Sequence, residues 1–177
     1  MSKPIKIDIS GIDDTLDVLN DRIKSMPVDA KVLVEKLTDI GKSVATGYFG
    51  SAQYDGTNDV VVTAEVKSKS KHVQRGDVIA RGHSVTFIEY GSGVHYVLVH
   101  PWARQEGLVR GGFGYGLGNF DSWRYKGDPG TNGEIISEGK HAGEVLTHGN
   151  PPARAMYFAD KSMRNNVFRL AKGVFRR

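Results

Sequence analysis

From Ala30 to Tyr48 the residues Ala30, Leu33, Leu37, Ile40, Val44 and Tyr48 advance by three or four positions at each step. That interval puts all six on one stripe of an α-helix of about five turns, and so long an apolar stripe has to be covered by another element. Gly47 and Gly50 are expected to stop this helix. Upstream, Ile12, Leu16, Leu19 and Ile23 recur at the same spacing in a shorter helix that carries Asp13 and Asp14 in its first turn and ends at Pro27. At the front, "IKIDIS" alternates Ile5, Ile7 and Ile9 with polar residues, the pattern of a half-buried strand.

The cover is legible downstream. "VVVTAEV" places Val60, Val62, Ala64 and Val66 on one side of a strand, and "DVIARGHSVTFIEYG" supplies one or two more, joined by short turns as an antiparallel meander. A sheet of this size is not stable alone. Packing it on the long helix gains about 1.5–3 kcal/mol for each aliphatic side chain buried. A last helix follows "NPPARAM", with Met156, Ala159, Met163, Val167, Leu170 and Val174 in one stripe and with Pro151 and Pro152 fixing its approach. The chain therefore reads as α+β: an antiparallel β-sheet meander packed against a long N-terminal helix and a C-terminal helix, with a long glycine-aromatic loop excursion. At 177 residues it suits a single domain, with a flexible inserted arm over residues 101–146.

That excursion contains "GGFGYGLGNFDSW". Glycines at 112, 114, 116 and 118 alternate strictly, which matches neither the dinucleotide fingerprint nor the P-loop, and no helical pattern follows to hold a phosphate. Phe113, Tyr115, Leu117 and Phe120 offer apolar area on a pliable backbone, to be covered either by a partner or by the chain's own sheet. Trp123 and Tyr125, two apart, share a face where the chain is extended. The partner reading makes the stretch a contact arm that orders on docking.

The tests for chemistry return little. There is no cysteine, which removes disulfides, thiolate metal sites and cysteine nucleophiles together. His95 and His100, and His141 and His148, stand at intervals that fit no familiar metal-ligand spacing, so hydrogen-bonded or surface histidines are expected and no metal or cofactor is. Ser92 fails the nucleophile-elbow pattern because position 90 is tyrosine. Glu89 with Glu134 or Glu144 could form an acid–base pair only if the fold joined them. The N-terminus lacks a signal-peptide block and no run is apolar enough to span a bilayer, so no membrane association is expected. The net charge of +4 is mild. Its basic share gathers in "DKSMRNNVFRLAKGVFRR", which leaves open a nucleic-acid-binding protein that uses the basic C-terminal helix.

Two stretches, "VTFIEYGSG" and "THGNPPARAMYFA", taken with the order of elements, resemble the tail-completion or head-tail joining proteins of long-tailed phages, typified by the tenth gene product of a lambdoid phage. The likeness runs from about Ile5 to Val174. It implies a structural virion protein of the neck, not an enzyme, acting as a ring, commonly a hexamer, that caps the tail tube. Its partners would be copies of itself, the connector and the tail-tube or tail-terminator proteins, with passing contact with DNA. Its location would be the virion, and the host cytoplasm before assembly. The family's glutamate and glycine positions would fall on Glu89, Gly91 and Gly93, and its proline-led helix start on Pro151, Pro152 and Met156. Ser92 stands where threonine is usual, and Ala155 where a second proline often precedes the methionine. Glu89, beside a glycine turn, is expected to accept hydrogen bonds from that turn's N–H groups or to pair with a cation of a neighbouring subunit.

Overall fold

The structure, a computed structural model, describes residues 12–70, 73–96, 99–112 and 114–176, with side chains of the first helix described from Leu16 onward. The strand expected over residues 5–9 and the side chain of Phe113 lie outside the described residues. In order, the chain forms α1 (Ile12–Gly50), the hairpin β1 (Val61–Ser70) and β2 (Val73–Arg81), and the short helix α2 (Val85–Tyr90). A 3-10 turn at Leu117–Asn119, strands β3 (Trp123–Tyr125), β4 (Glu134–Ile135) and β5 (Val145–Thr147), and α3 (Ala155–Phe175) complete it. The α+β class, with antiparallel strands between an N-terminal and a C-terminal helix, is as read from the sequence.

Two local expectations are corrected. The first concerns Pro27, which lies inside one continuous 39-residue helix instead of ending a shorter one. Proline removes one helical hydrogen bond and crowds the preceding turn, a cost of about 3 kcal/mol. Here α3 touches α1 on both sides of it: Arg22 Nη1 donates to Phe175 O (3.1 Å), and a Cβ on Gly41 would stand 2.6 Å from Met163 Sδ. One partner helix covers both flanks of the proline and holds them in line.

The second concerns "VTFIEY", which is helical, so that β1 and β2 form a two-stranded hairpin without a third strand from this segment. Its β-branched and aromatic residues favour extended backbone, but tertiary hydrogen bonds override that preference. Asp59, just before β1, accepts the N–H groups of His83 (2.8 Å) and Ser84 (2.9 Å) at the start of α2 and also the Ser84 hydroxyl, while Asp59 N–H donates back to Ser84 Oγ (3.2 Å). These bonds hold the Asp59 carboxyl well below its usual range, the Ser84 hydroxyl contributing most. Val85, Ile88 and Glu89 then fall on one helical face, with Ile88 fully buried.

The hairpin pairs Val62 with Ala80, Ala64 with Val78 and Val66 with Gly76; of the expected face of Val60, Val62, Ala64 and Val66, Val60 and Val62 join the core, alongside Val78 and Ala80. Gly76 lets β2 lie against α1, where a Cβ would meet Val34 Cγ1 at 2.7 Å. The core gathers where the C-terminal half of α1, the hairpin, α2 and the start of α3 converge: Ala45, Phe49, Val62, Ile88, Ala155 and Ala159 are buried together. Tyr48 stacks on Phe158 with centroids 4.6 Å apart. Of the α3 stripe, Ala159 and Val174 are buried and Met156, Met163, Val167 and Leu170 half-buried. The strand expected around "GEVLTHG" is β5, the centre of a small antiparallel sheet ordered β3-β5-β4.

Candidate functional site

The residues singled out at 89–93 and 151–156 meet in one buried junction. Helix α3 begins without a side-chain cap of its own, and its N-cap residue Arg154 has a left-handed backbone (φ 56°). The first N–H groups of a helix need acceptors from elsewhere. Glu89 supplies them from 67 residues away: Met156 N–H donates to Oε2 (2.9 Å) and Tyr157 N–H to Oε1 (3.2 Å). In return, Ala153 N–H donates to Ile88 O (2.8 Å) and Arg154 N–H to Glu89 O (3.2 Å), so the chain entering α3 satisfies the last carbonyls of α2. Each helix caps the other.

A third donor reaches Glu89 from the loop that follows. His100 Nε2 lies 3.1 Å from Oε1, and Trp102 N–H donates to His100 Nδ1 (3.0 Å). Because Nδ1 accepts, the proton is assigned to Nε2, which donates to the carboxylate. Both side chains are sealed, at 0% and 3% exposure, under Tyr90, Trp102 and Tyr157. Glu89 therefore takes its N–H donors from α3 and not from its own glycine turn. Its burial also leaves it unreachable for a cation on a neighbouring subunit. Glu134 sits on β4 and Glu144 pairs with His141 (3.0 Å), apart from Glu89's partners.

Gly91 and Gly93 have left-handed backbones (φ 78° and 82°), and a Cβ would meet Asn150 O at 2.7 Å in the first case and His148 O at 2.8 Å in the second. Glycine is required twice over there, by conformation and by approach. Between them Ser92 N–H donates to Asn150 O (2.9 Å) and Asn150 N–H to Ser92 Oγ (3.0 Å). The Asn150 side chain, 1% exposed, accepts Asp55 N–H (2.9 Å) and Asn132 Nδ2–H (3.1 Å) and donates to Asp55 Oδ1 and Ser92 Oγ. Pro151 and Pro152, half-buried, carry the chain from this hub to α3. The asparagine was not singled out in the sequence; its place before two prolines, which restricts its backbone, was the available signal. His100 carried none beyond its distance from Glu89.

Beside the hub lies a cleft of ≈ 710 Å³, bounded by the loop at Tyr54–Thr57, Phe87 of α2, the turn around Leu117, β3 and the loop at Lys126–Asp128. Trp123 and Tyr125 do share a face and both line it. The glycine-aromatic stretch forms its rim: a Cβ on Gly114 would meet Phe87 Cζ at 2.8 Å, and one on Gly118 would meet Gly93 N at 3.3 Å. The side chains of Tyr115 and Phe120 are left open to solvent, 99% and 59% exposed. Tyr125 donates its hydroxyl to Asp128 O (2.8 Å), and loss of hydration together with Asp55, Tyr54 and Asp128 pushes it up to about 12. Burial, then Asp55 and Asp59, raise Tyr54 as well. Asp128 itself is held low by the Gly130 N–H (2.9 Å) and the Thr57 hydroxyl (3.0 Å).

Among the described residues no group of three or more histidines and carboxylates is placed to hold a metal ion, and no helix is long and apolar enough to cross a membrane. His95 and His148 both turn to Asp121, at 3.1 Å from its Oδ1 and 3.3 Å from its carbonyl. No family model, no curated protein and no solved structure matches the chain.

Proposed function

We propose that this chain is a structural protein of a phage neck, a tail-completion or head-tail joining protein that acts through contacts with copies of itself and with the connector and tail tube. The observation that carries the reading is the junction itself. The two stretches that resemble the family, separated by more than fifty residues, are the ones that cap each other's helices through Glu89, Gly91, Gly93 and the proline-led start of α3. The groups best suited to chemistry are spent on that architecture: Glu89 and His100 are sealed against each other, and Ser92 is bonded to Asn150. Surface apolar area supports an assembly role. Leu16, Leu19, Ile23 and Met26, spaced by three and four along the first half of α1, are each about half exposed, and Phe168 on α3 is 81% exposed. Such stripes mark association surfaces.

A second reading, nucleic-acid binding through α3, rests on the exposure of Lys161, Arg164, Arg169, Lys172 and Arg176. Arg164 is paired with Asp160, which offsets its charge, and Arg169 already gives two N–H groups to Asn166 Oδ1. The deciding experiment is electron microscopy of particles from phage lacking the gene. Filled heads and separate tails are expected, and normal joined, infectious particles refute the neck assignment. Duplex binding that weakens by about 0.9 log units per log unit of salt for each phosphate contact would favour the second reading.

A further inference from the structure

We propose that the cleft beside Asn150 is a binding site for an arginine side chain presented by a partner protein, with the guanidinium stacked among Tyr54, Trp123 and Tyr125 and paired with Asp55 and Asp128. The inference concerns the isolated chain and does not depend on the virion reading.

Three features carry it. The volume of ≈ 710 Å³ lies within the usual range for ligand pockets and is larger than one side chain, which fits a short peptide segment with its anchor inserted. The lining is aromatic: Tyr54 comes from the loop after α1, and Trp123 and Tyr125 stand on one face of β3. Aromatic faces attract cations, and a planar guanidinium stacks on them while its N–H fork meets carboxylates. Finally, the charge is of the right sign. Asp55 and Asp128 line the cleft together with Lys126 and His83, and after burial itself the two carboxylates add to the rise of the Tyr125 hydroxyl, so the field at that ring favours a cation. A carboxylate offers about four acceptor positions. Among the described residues Asp55 gives one oxygen to Asn150 Nδ2, which leaves the other for an incoming donor. A phosphate or carboxylate ligand would be repelled by the same field.

The test is a titration of the full ¹⁵N-labelled chain, read from the indole and amide signals of Trp123 and Tyr125. The probe is an acetylated, amidated Gly-Arg-Gly peptide, with its citrulline counterpart as the uncharged isostere. Saturable shifts are expected with the arginine peptide, at least about tenfold weaker binding with citrulline, and further weakening with salt. Asp55→Asn keeps an acceptor oxygen for Asn150 and removes the charge, so it should fold normally and bind several-fold more weakly. Asp39→Asn, an exposed carboxylate on α1, should bind as wild type does. Equal binding of the citrulline peptide, unchanged affinity in a folded Asp55→Asn/Asp128→Asn variant, or shifts of the same signals by inorganic phosphate would each overturn the proposal. So would sedimentation showing that these variants lose self-association, since the occupant would then be a second copy.

Discussion

Replacing Glu89 with alanine removes the acceptor for three donors at once, the N–H groups of Met156 and Tyr157 and Nε2–H of His100. The first two are the cap of α3, and losing a helix cap costs about 0.5–2 kcal/mol. The third is a donor on a side chain with 0% exposure, and a buried donor left without a partner costs about 1–3 kcal/mol. Together these give about 1.5–5 kcal/mol, a large part of the roughly 5–15 kcal/mol that holds a domain folded. At roughly 2–4 °C per kcal/mol for a chain of this size, the melting temperature should fall by on the order of 10 °C. Circular dichroism reads both quantities, the free-energy loss from equilibrium urea unfolding and the temperature shift from a thermal melt. Glu89→Gln keeps one acceptor oxygen but turns an amide NH2 onto a remaining donor, so an intermediate loss of about 1–3 kcal/mol is expected. His100→Phe removes the stranded donor while keeping a ring against Tyr90, which lies 4.6 Å away between centroids. The Glu89→Ala/His100→Phe double variant should therefore cost less than the sum of the two single ones, by about 1 kcal/mol. A Glu89→Ala variant within about 0.5 kcal/mol of wild type, the range of ordinary surface changes, would refute the reciprocal cap.

Other consequences can be checked on the same protein. Asp59 has a folded pKa below its unfolded one, so its bonds to His83 and Ser84 stabilise the fold above about pH 4 and are lost as pH falls toward the folded value; Asp59→Asn should flatten the acid limb of the stability profile. Tyr125 is raised, so the reverse sign applies: its contribution is complete below about pH 10 and lost as pH rises through about 12, and Tyr125→Phe should delete the last phenolate transition in an ultraviolet titration. Arg154 carries the one positive φ outside glycine among the described residues, and its buried Nε has no hydrogen-bond partner among them. Arg154→Gly should raise the urea midpoint, by up to about 1 kcal/mol in stability. A bulkier residue at Gly41 would displace Met163 and Val78, and Gly41→Val should cost about 1–3 kcal/mol as overpacking in the same assay.

What the sequence disclosed was what periodicity can carry. The stripe from Ala30 to Tyr48, the alternation from Val60 to Val66 and the stripe from Met156 to Val174 each depend on one element's own geometry, and each appears as read. The two errors share a cause. Local preference at Pro27 and "VTFIEY" points to a helix end and a strand, whereas both conformations are imposed by chain distant in sequence, α3 alongside the proline and Asp59 at the start of α2. The glycine alternation at 112–118 signals backbone freedom, yet Gly114 and Gly118 also permit close approach to Phe87 and Gly93. At the junction, Glu89, Gly91, Gly93, Pro151, Pro152 and Met156 stood out through resemblance. Their partners did not, because a carboxylate capping a helix 67 residues away leaves no spacing to detect.

Helix α1 shows how far periodicity reaches. Its two halves carry the same kind of stripe: Leu16, Leu19, Ile23 and Met26 in the first, Leu33, Leu37, Ile40 and Val44 in the second. The second half is covered, by β2 at Gly76, by α3 at Gly41 and by the core at Ala45 and Phe49. The first half has Arg22 bonded to the end of α3, while its four apolar side chains remain 49–60% exposed. At roughly 25 cal/mol per Å² of apolar surface, leaving such a row in water forgoes stabilisation that an equal row in the second half obtains. An apolar period states that a face is to be covered and is silent about which molecule covers it. Among the described residues the row at Leu16, Leu19, Ile23 and Met26 stays about half exposed, so single substitutions there should cost little stability, within about 0.5 kcal/mol by urea unfolding, and leave the junction at Glu89 intact.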